Sequence, residues 1–194
     1  LFVSDESTPP WLDHEHWRLE LSSGWLRYRD PRRFGMLIRC SQGQFDEHPR
    51  IKNLGPEPLL EAWTDDDFLA VCKTSSRPIK TLIMDAATVV GVGNIYAAEA
   101  LFAAGIDPRR SASRIAPRRL RRLKLEIVRV LNRALESGGS TIRNFVSSDG
   151  APGYFAQQLA VYGRAGERCR QCEAVLTNVI LGGRSTVFCR RCQR

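Results

Sequence analysis

The sequence predicts an α+β chain made of a partial β-sandwich, a helical middle and a terminal metal-bound hairpin. Three observations carry this reading. Residues 16–21 alternate, with Trp17, Leu19 and Leu21 on one side and Arg18 and Glu20 on the other, the period of a half-buried strand. Residues 118–136 set Leu120, Leu123, Ile127, Val130, Leu131 and Leu135 on one stripe at helical spacing. Cys169, Cys172, Cys189 and Cys192 form two Cys-x2-Cys pairs separated by 16 residues.

The elements follow in order. After the strand at 16–21, Ser22, Ser23 and Gly24 make a turn, and residues 25–28 return as a second strand. Asp30 and Pro31 mark the connection to a third strand expected at 34–40. Residues 42–49 read as a linker, and 54–58, Leu-Gly-Pro-Glu-Pro, as a rigid non-helical step. Thr64 suits an N-cap, with Asp65, Asp66 and Asp67 in the first turn of a helix running through Cys72. Residues 78–84 carry an apolar face. Residues 95–104 are alanine-rich and stop at Gly105, a natural helix terminator. Pro117 fits the first position of the helix at 118–136. The run from Gly138 to Thr141 breaks that helix and starts a short one, and 147–166 reads as a loop. Val175, Val179, Ile180 and Leu181, then Gly182 and Gly183, then Val187 and Phe188 spell a hairpin between the cysteine pairs. The domains expected are 1–47, the remainder of a sandwich; 48–160, a helical unit and the loop after it; and 161–194, the cysteine hairpin.

Composition narrows the function. The 194 residues carry a net charge of +8 and a pI near 9.6. Residues 1–108 hold 11 basic and 16 acidic side chains, whereas 109–194 hold 18 basic and 5 acidic ones. Such asymmetry points to a polyanion partner, usually nucleic acid. No apolar run approaches the roughly 18 residues that a membrane helix needs. The start has neither the basic residues nor the apolar stretch of a secretory signal.

The cysteine spacing is that of a four-thiolate zinc site, in which each close pair turns two sulfurs onto one metal. A hairpin this small has little core, so the metal supplies much of its folding energy. Disulfides are the other reading. Without a visible signal, and with Cys40 and Cys72 unpaired, one structural zinc in a reducing cytoplasm is expected. No organic cofactor is expected.

Two further motifs bear on nucleic acid. Val-Gly-Val-Gly-Asn at 90–94 stands just before a helix, where backbone N–H groups can face a phosphate and Asn94 can add a donor. A tight turn between packed helices explains the glycines equally well. Asp30, Pro31, Arg32, Arg33, Phe34 and Gly35 put two cations beside an aromatic wedge suited to a base stack. The simpler reading is an exposed turn whose Phe34 returns to the core.

Taken together, several stretches resemble the formamidopyrimidine-DNA glycosylases, bacterial repair enzymes that remove 8-oxoguanine and ring-opened purines. They are 30–35, 54–59, 79–85, 90–102 with Gly105 and Ile106, 148–150 with 152–157, 161–163, and the four-cysteine ribbon ending in Cys192 and Gln193. The related endonuclease VIII shares the helical domain and ribbon but typically not the Arg-Arg-Phe turn.

The resemblance implies a helix–two-turn–helix unit, a zinc finger, and both glycosylase and apurinic-site lyase activity on damaged duplex DNA. Arg32 would pair with the cytosine opposite the lesion, with Phe34 wedged beside it. Asn94 would hold a phosphate, with Lys80 near the same backbone and His14 a further DNA contact. Ser75 would join them, although it and Ser76 stand where relatives are more basic. Glu99 would stand near the flipped nucleotide and support catalysis. Arg184 would hold phosphate and serve as proton donor for the final elimination. A lesion loop of Ala151, Pro152, Gly153, Tyr154 and Phe155 would cover the extruded base, with alanine at 151 where relatives often carry lysine. A monomer in the bacterial cytoplasm, associated with the nucleoid through DNA, is implied.

One departure stands out. The family's nucleophile is the proline of a Pro-Glu-Leu-Pro-Glu start, whose amine forms a Schiff base. Residue 1 here is leucine. The expectation is a chain lacking the front segment and inactive as a glycosylase by itself, with Trp17, Leu19 and Ile38 uncovered. The alternatives are a non-catalytic duplex-binding module and an endonuclease VIII-like enzyme acting on oxidised pyrimidines.

Overall fold

The computed structural model describes residues 2–4, 10–31, 33–60, 63–137 and 159–194. At the front lies an antiparallel sheet ordered β1–β3–β2: β1 Phe2–Ser4, β2 Glu15–Leu21 and β3 Gly24–Arg29. The hairpin register sets Leu19 against Leu26 and Glu20 against Trp25. An irregularity between Glu15 and Trp17 breaks the register. Trp17 stacks on Tyr28 at 5.1 Å, and the Arg18 guanidinium lies over the Trp11 and Trp25 rings at 4.4 and 5.0 Å. Behind them Arg27 and Glu15 form a buried ion pair at 2.6 Å, with Arg27 also donating to the Pro10 carbonyl. That guanidinium holds the Glu15 carboxyl below the usual carboxylate range.

One expectation fails in this region. The third strand at 34–40 does not form: β-type sequence alone makes no ladder, and the stretch joins no sheet. Instead a third strand comes from β1, too short at three residues to show a period. Leu19, Met36 and Leu37 are half exposed or more, at 50%, 56% and 68%.

Helical structure begins as the caps predict. Thr64 accepts from the Asp67 amide and starts α1, Asp65–Thr74. A short α2, Ile79–Ile83, follows, then α3, Asn94–Ala104, which ends where Gly105 enters the left-handed region at φ +71. A 3₁₀ turn, Ala112–Arg114, precedes α4, Pro117–Glu136, with proline in its first turn as expected. Leu120, Leu123, Ile127, Val130 and Leu131 bury their side chains against the other helices. Leu135 departs from the expected stripe: it is 66% exposed, and Ala134 takes the inward position. The basic side of α4 is partly engaged, since Lys124 pairs with Asp65 at 3.1 Å and lies 5.2 Å from the centre of the Trp63 ring. The short helix expected near 141 lies outside the described residues.

The chain ends in a two-stranded hairpin, β4 Thr177–Leu181 and β5 Arg184–Phe188, turning at Gly182 and Gly183 as read from the sequence. Its small core (Val161, Leu176, Val187 and the cysteines) joins Ala98 and Phe102, so the ribbon seats directly on α3. No helix among the described residues is long and apolar enough to cross a membrane.

Candidate metal centre and nucleic-acid interface

Cys169, Cys172, Cys189 and Cys192 converge with all ligand atoms within 4.8 Å of one another. The sulfurs of Cys169 and Cys192 are 3.9 Å apart and those of Cys172 and Cys189 are 3.4 Å apart. A tetrahedron of thiolates on zinc needs about 3.8 Å between sulfurs, so this donor set fits zinc and is too open for disulfides. Each pair sits on a tight knuckle. Glu173 turns through φ +61 and donates its amide to Cys169 O, and the Gln193 amide donates to Cys189 O. Burial and the three neighbouring sulfurs push the Cys192 thiol up. A cation relieves that cost by taking the thiolate.

The metal orders a hairpin that meets the helical domain at one carbonyl. Ser185 O accepts from Lys80 Nζ at 3.1 Å and from Asn94 Nδ2 at 3.2 Å. Lys80 Nζ also donates to Thr186 Oγ1 at 2.6 Å. Asn178 Oδ1 fixes the same stretch by accepting from Ser185 Oγ and the Thr186 amide. Arg184, exposed at the start of β5, stands next to the gripped residue. Asn94 opens α3, whose first turn has neither an acidic residue nor a side-chain cap. Its N–H groups are therefore directed towards an incoming anion. Gly91 takes φ +78, and a Cβ at Gly91 or Gly93 would meet nothing within 4 Å, so open space lies in front of this helix start. Among the described residues, Asn94 Oδ1 is the buried side-chain polar atom without a partner.

Two expected site residues bond within the protein. Lys80 is fully buried and its ammonium donates to the ribbon. Burial pushes it down to about 8. Glu99 accepts from the amides of Ala160, Val161 and Tyr162 at 2.8 to 2.9 Å. Those bonds anchor the entry to the ribbon. Ser75 caps the end of α1, with its amide on Cys72 O and its carbonyl accepting from Ser113.

On the front sheet, the Asp30 carboxylate accepts from Tyr28 Oη at 3.0 Å and the Gly35 amide at 2.7 Å. The Asp30 amide donates to the carbonyl of His14, an exposed residue at φ +66. This folds the turn so that Phe34 projects, 76% exposed. A Cβ on Gly35 would lie 1.5 Å from Tyr28 Oη, so a side chain there would push that ring aside. The simpler reading, a Phe34 returned to the core, is therefore wrong. Arg32 and the loop residues Ala151, Pro152, Gly153, Tyr154 and Phe155 lie outside the described residues.

The comparisons with known proteins agree with this layout. Residues 54–146 match the formamidopyrimidine-DNA glycosylase H2TH domain, and 166–194 match the zinc finger found in FPG and IleRS. The formamidopyrimidine-DNA glycosylase of Pseudomonas fluorescens (strain SBW25) is 54% identical over 186 residues, 95% of this chain and 68% of that protein. The chain belongs to the formamidopyrimidine-DNA glycosylase family. The family's enzyme from Alteromonas mediterranea is 48% identical over 196 residues, 100% of this chain and 71% of that protein. The crystal structure of the MutM (Fpg) protein from Thermus thermophilus superposes with a TM-score of 0.87 at 41% identity, covering 99% of this chain and 71% of that one. The Lactococcus lactis Fpg bound to abasic-site DNA gives 0.88 at 32%, covering 97% and 69%. As in the family, the cysteine hairpin is a zinc finger holding one structural zinc.

Neither Thr186 nor Asn178 stands out from sequence, and Gln193 does so only as the end of the ribbon. Gln193 bridges the Cys189 amide and the Ile106 carbonyl, and no local pattern marks contacts that span 87 residues.

Proposed function

We propose that the chain acts in base-excision repair as part of a DNA glycosylase with apurinic-site lyase activity. Its substrates are oxidised purines, 8-oxoguanine and formamidopyrimidines, which it removes from duplex DNA by base flipping. The observation that carries this reading is the joint at Ser185, where Lys80 and Asn94 tie the zinc hairpin to the start of α3 and so set Arg184 beside an anion-facing helix end. Relatives solved in complex with abasic-site DNA and with carbocyclic 8-oxo-G DNA supply the ligand.

The steps follow from the residues. The first turn of α3, Asn94 and Arg184 neutralise backbone phosphates, which gives affinity without sequence preference. His14 and Ser75 extend the contact along the duplex. Phe34 enters the stack, and Arg32 bonds to the cytosine left behind, which offsets the cost of extrusion. Residues 151–155 close over the flipped base. Arg184 holds the departing phosphate and serves as proton donor for the last elimination. The zinc acts on structure alone. Lys80 and Glu99 act through position, by fixing the hairpin and the strand that enters it. The family's Schiff-base step uses a terminal proline amine, and residue 1 of this sequence is Leu1. The residues named above supply grip and wedge. We place the units at 1–47, 48–160 and 161–194, and the protein as a monomer in the cytoplasm.

Fluorescence anisotropy with duplexes carrying 8-oxoguanine opposite cytosine, thymine glycol or no lesion tests the reading. The first duplex should bind roughly tenfold tighter than the undamaged one. Equal affinity for all three would favour a binding module alone, and preference for thymine glycol an endonuclease VIII-like enzyme.

A further inference from the structure

At the far end of α3 the structure gathers a second set of cations. Arg119 Nη2 donates to the carbonyls of Gly105 and Arg194, at 2.8 and 2.7 Å, and Arg122 Nη2 donates to Ala103 O at 2.8 Å. These two close off the carbonyl end of the helix, as cations do. Arg109 lies 4.7 Å from the centre of the buried Phe188 ring and pairs with Asp107 at 2.6 Å. Arg110 and Arg194 are exposed, and among the described residues neither side chain pairs with an acid. Asp107, Arg109, Arg110 and Arg194 line an open hollow of about 490 Å³, in which Asp107 is the acid among arginines. The crowding is felt, since burial and then the Arg110 and Arg122 charges lower the Arg119 guanidinium.

This platform is rigid. Arg110 O accepts from the Ile79 amide at 2.8 Å, Pro108 O from the Lys80 amide at 3.3 Å, and Gly105 O from the Arg194 amide at 3.0 Å. Helix α3 spans 11 residues, so about 16 Å separates this end from Asn94. Asn94 and this hollow thus stand at opposite ends of one helix.

We infer that the hollow at the C-terminal end of α3, centred on Arg110 and Arg194, is a second phosphate-backbone contact that takes another segment of duplex DNA while the first is still bound. The inference rests on the proposed function, which makes duplex DNA the polyanion in excess around this protein. It gives the chain a route from one segment to the next without free diffusion, which suits an enzyme that must search any sequence.

Dissociation from a labelled short duplex, measured against rising concentrations of unlabelled duplex, tests it. The apparent off-rate should climb with competitor. In R110E/R194E, and partially in R110Q/R194Q, that slope should fall about fivefold while affinity for one duplex stays within about twofold. An off-rate independent of competitor, or an unchanged slope in both variants, would overturn the inference and leave the proposed function standing. A polyglutamate peptide that accelerates release where duplex does not would overturn it in favour of an acidic protein partner. A chain that binds no duplex at all would overturn the proposed function and this inference together.

Discussion

Arg184 and Lys80 show how neighbouring cations do different work. Arg184 is exposed beside a carbonyl that two other residues hold in place, so replacing it removes charge without loosening the hairpin. Arg184→Ala should weaken binding to abasic-site duplex and lower the slope of log affinity against log salt by about 1; a titration between low and moderate salt reads both. Lys80 is buried, and its folded value of about 8 lies below that of the unfolded chain. Between pH 8 and roughly 10.4 the unfolded state binds more protons, so stability should rise with pH across that window. Below about pH 8 both states are protonated and the burial cost is fully present. Urea unfolding of the wild type and Lys80→Met at several pH values checks this, because wild-type stability should rise relative to the variant across that window. The sequence marked Lys80 but not its role, since its partners Ser185 and Thr186 lie 105 and 106 residues away.

At the scale of elements, local chemistry decided what could be read in advance. Thr64 with its acidic first turn, Gly105 in the left-handed region and Pro117 each mark a helix boundary, and α1, α3 and α4 begin or end there. The β4–β5 hairpin was legible because two glycines separate two apolar runs between metal-binding pairs. The stretch at 34–40 was misread for the opposite reason, as a strand is defined by its neighbour. Leu135 followed the stripe by spacing yet points to solvent at the last turn of α4. The ribbon depends on its metal. Cys172→Ser should therefore lose the single zinc per chain and the hairpin's amide protection from hydrogen exchange. Elemental analysis that still finds one zinc would remove Cys172 from the ligand set.

For the whole molecule, the placement of charge matters more than its sum. The acidic front half carries the Phe34 turn and the helix start at Asn94, and the basic back half carries Arg184 and the arginines beyond Gly105. On the proposed function, a duplex meeting this chain is drawn to the back half and probed by the front. That division was legible in the charge distribution and the four cysteines. The joint between ribbon and helices was not, because it is made of contacts between residues far apart in sequence. On the function proposed above, these 194 residues grip damaged duplex, and no stretch of them matches the family's proline start. Borohydride trapping on a duplex with 8-oxoguanine opposite cytosine, run beside a gel shift, tests this most directly. The expected result is a shifted band and no covalent adduct. An adduct would mean that an amine within these residues performs the chemistry, and would contradict it.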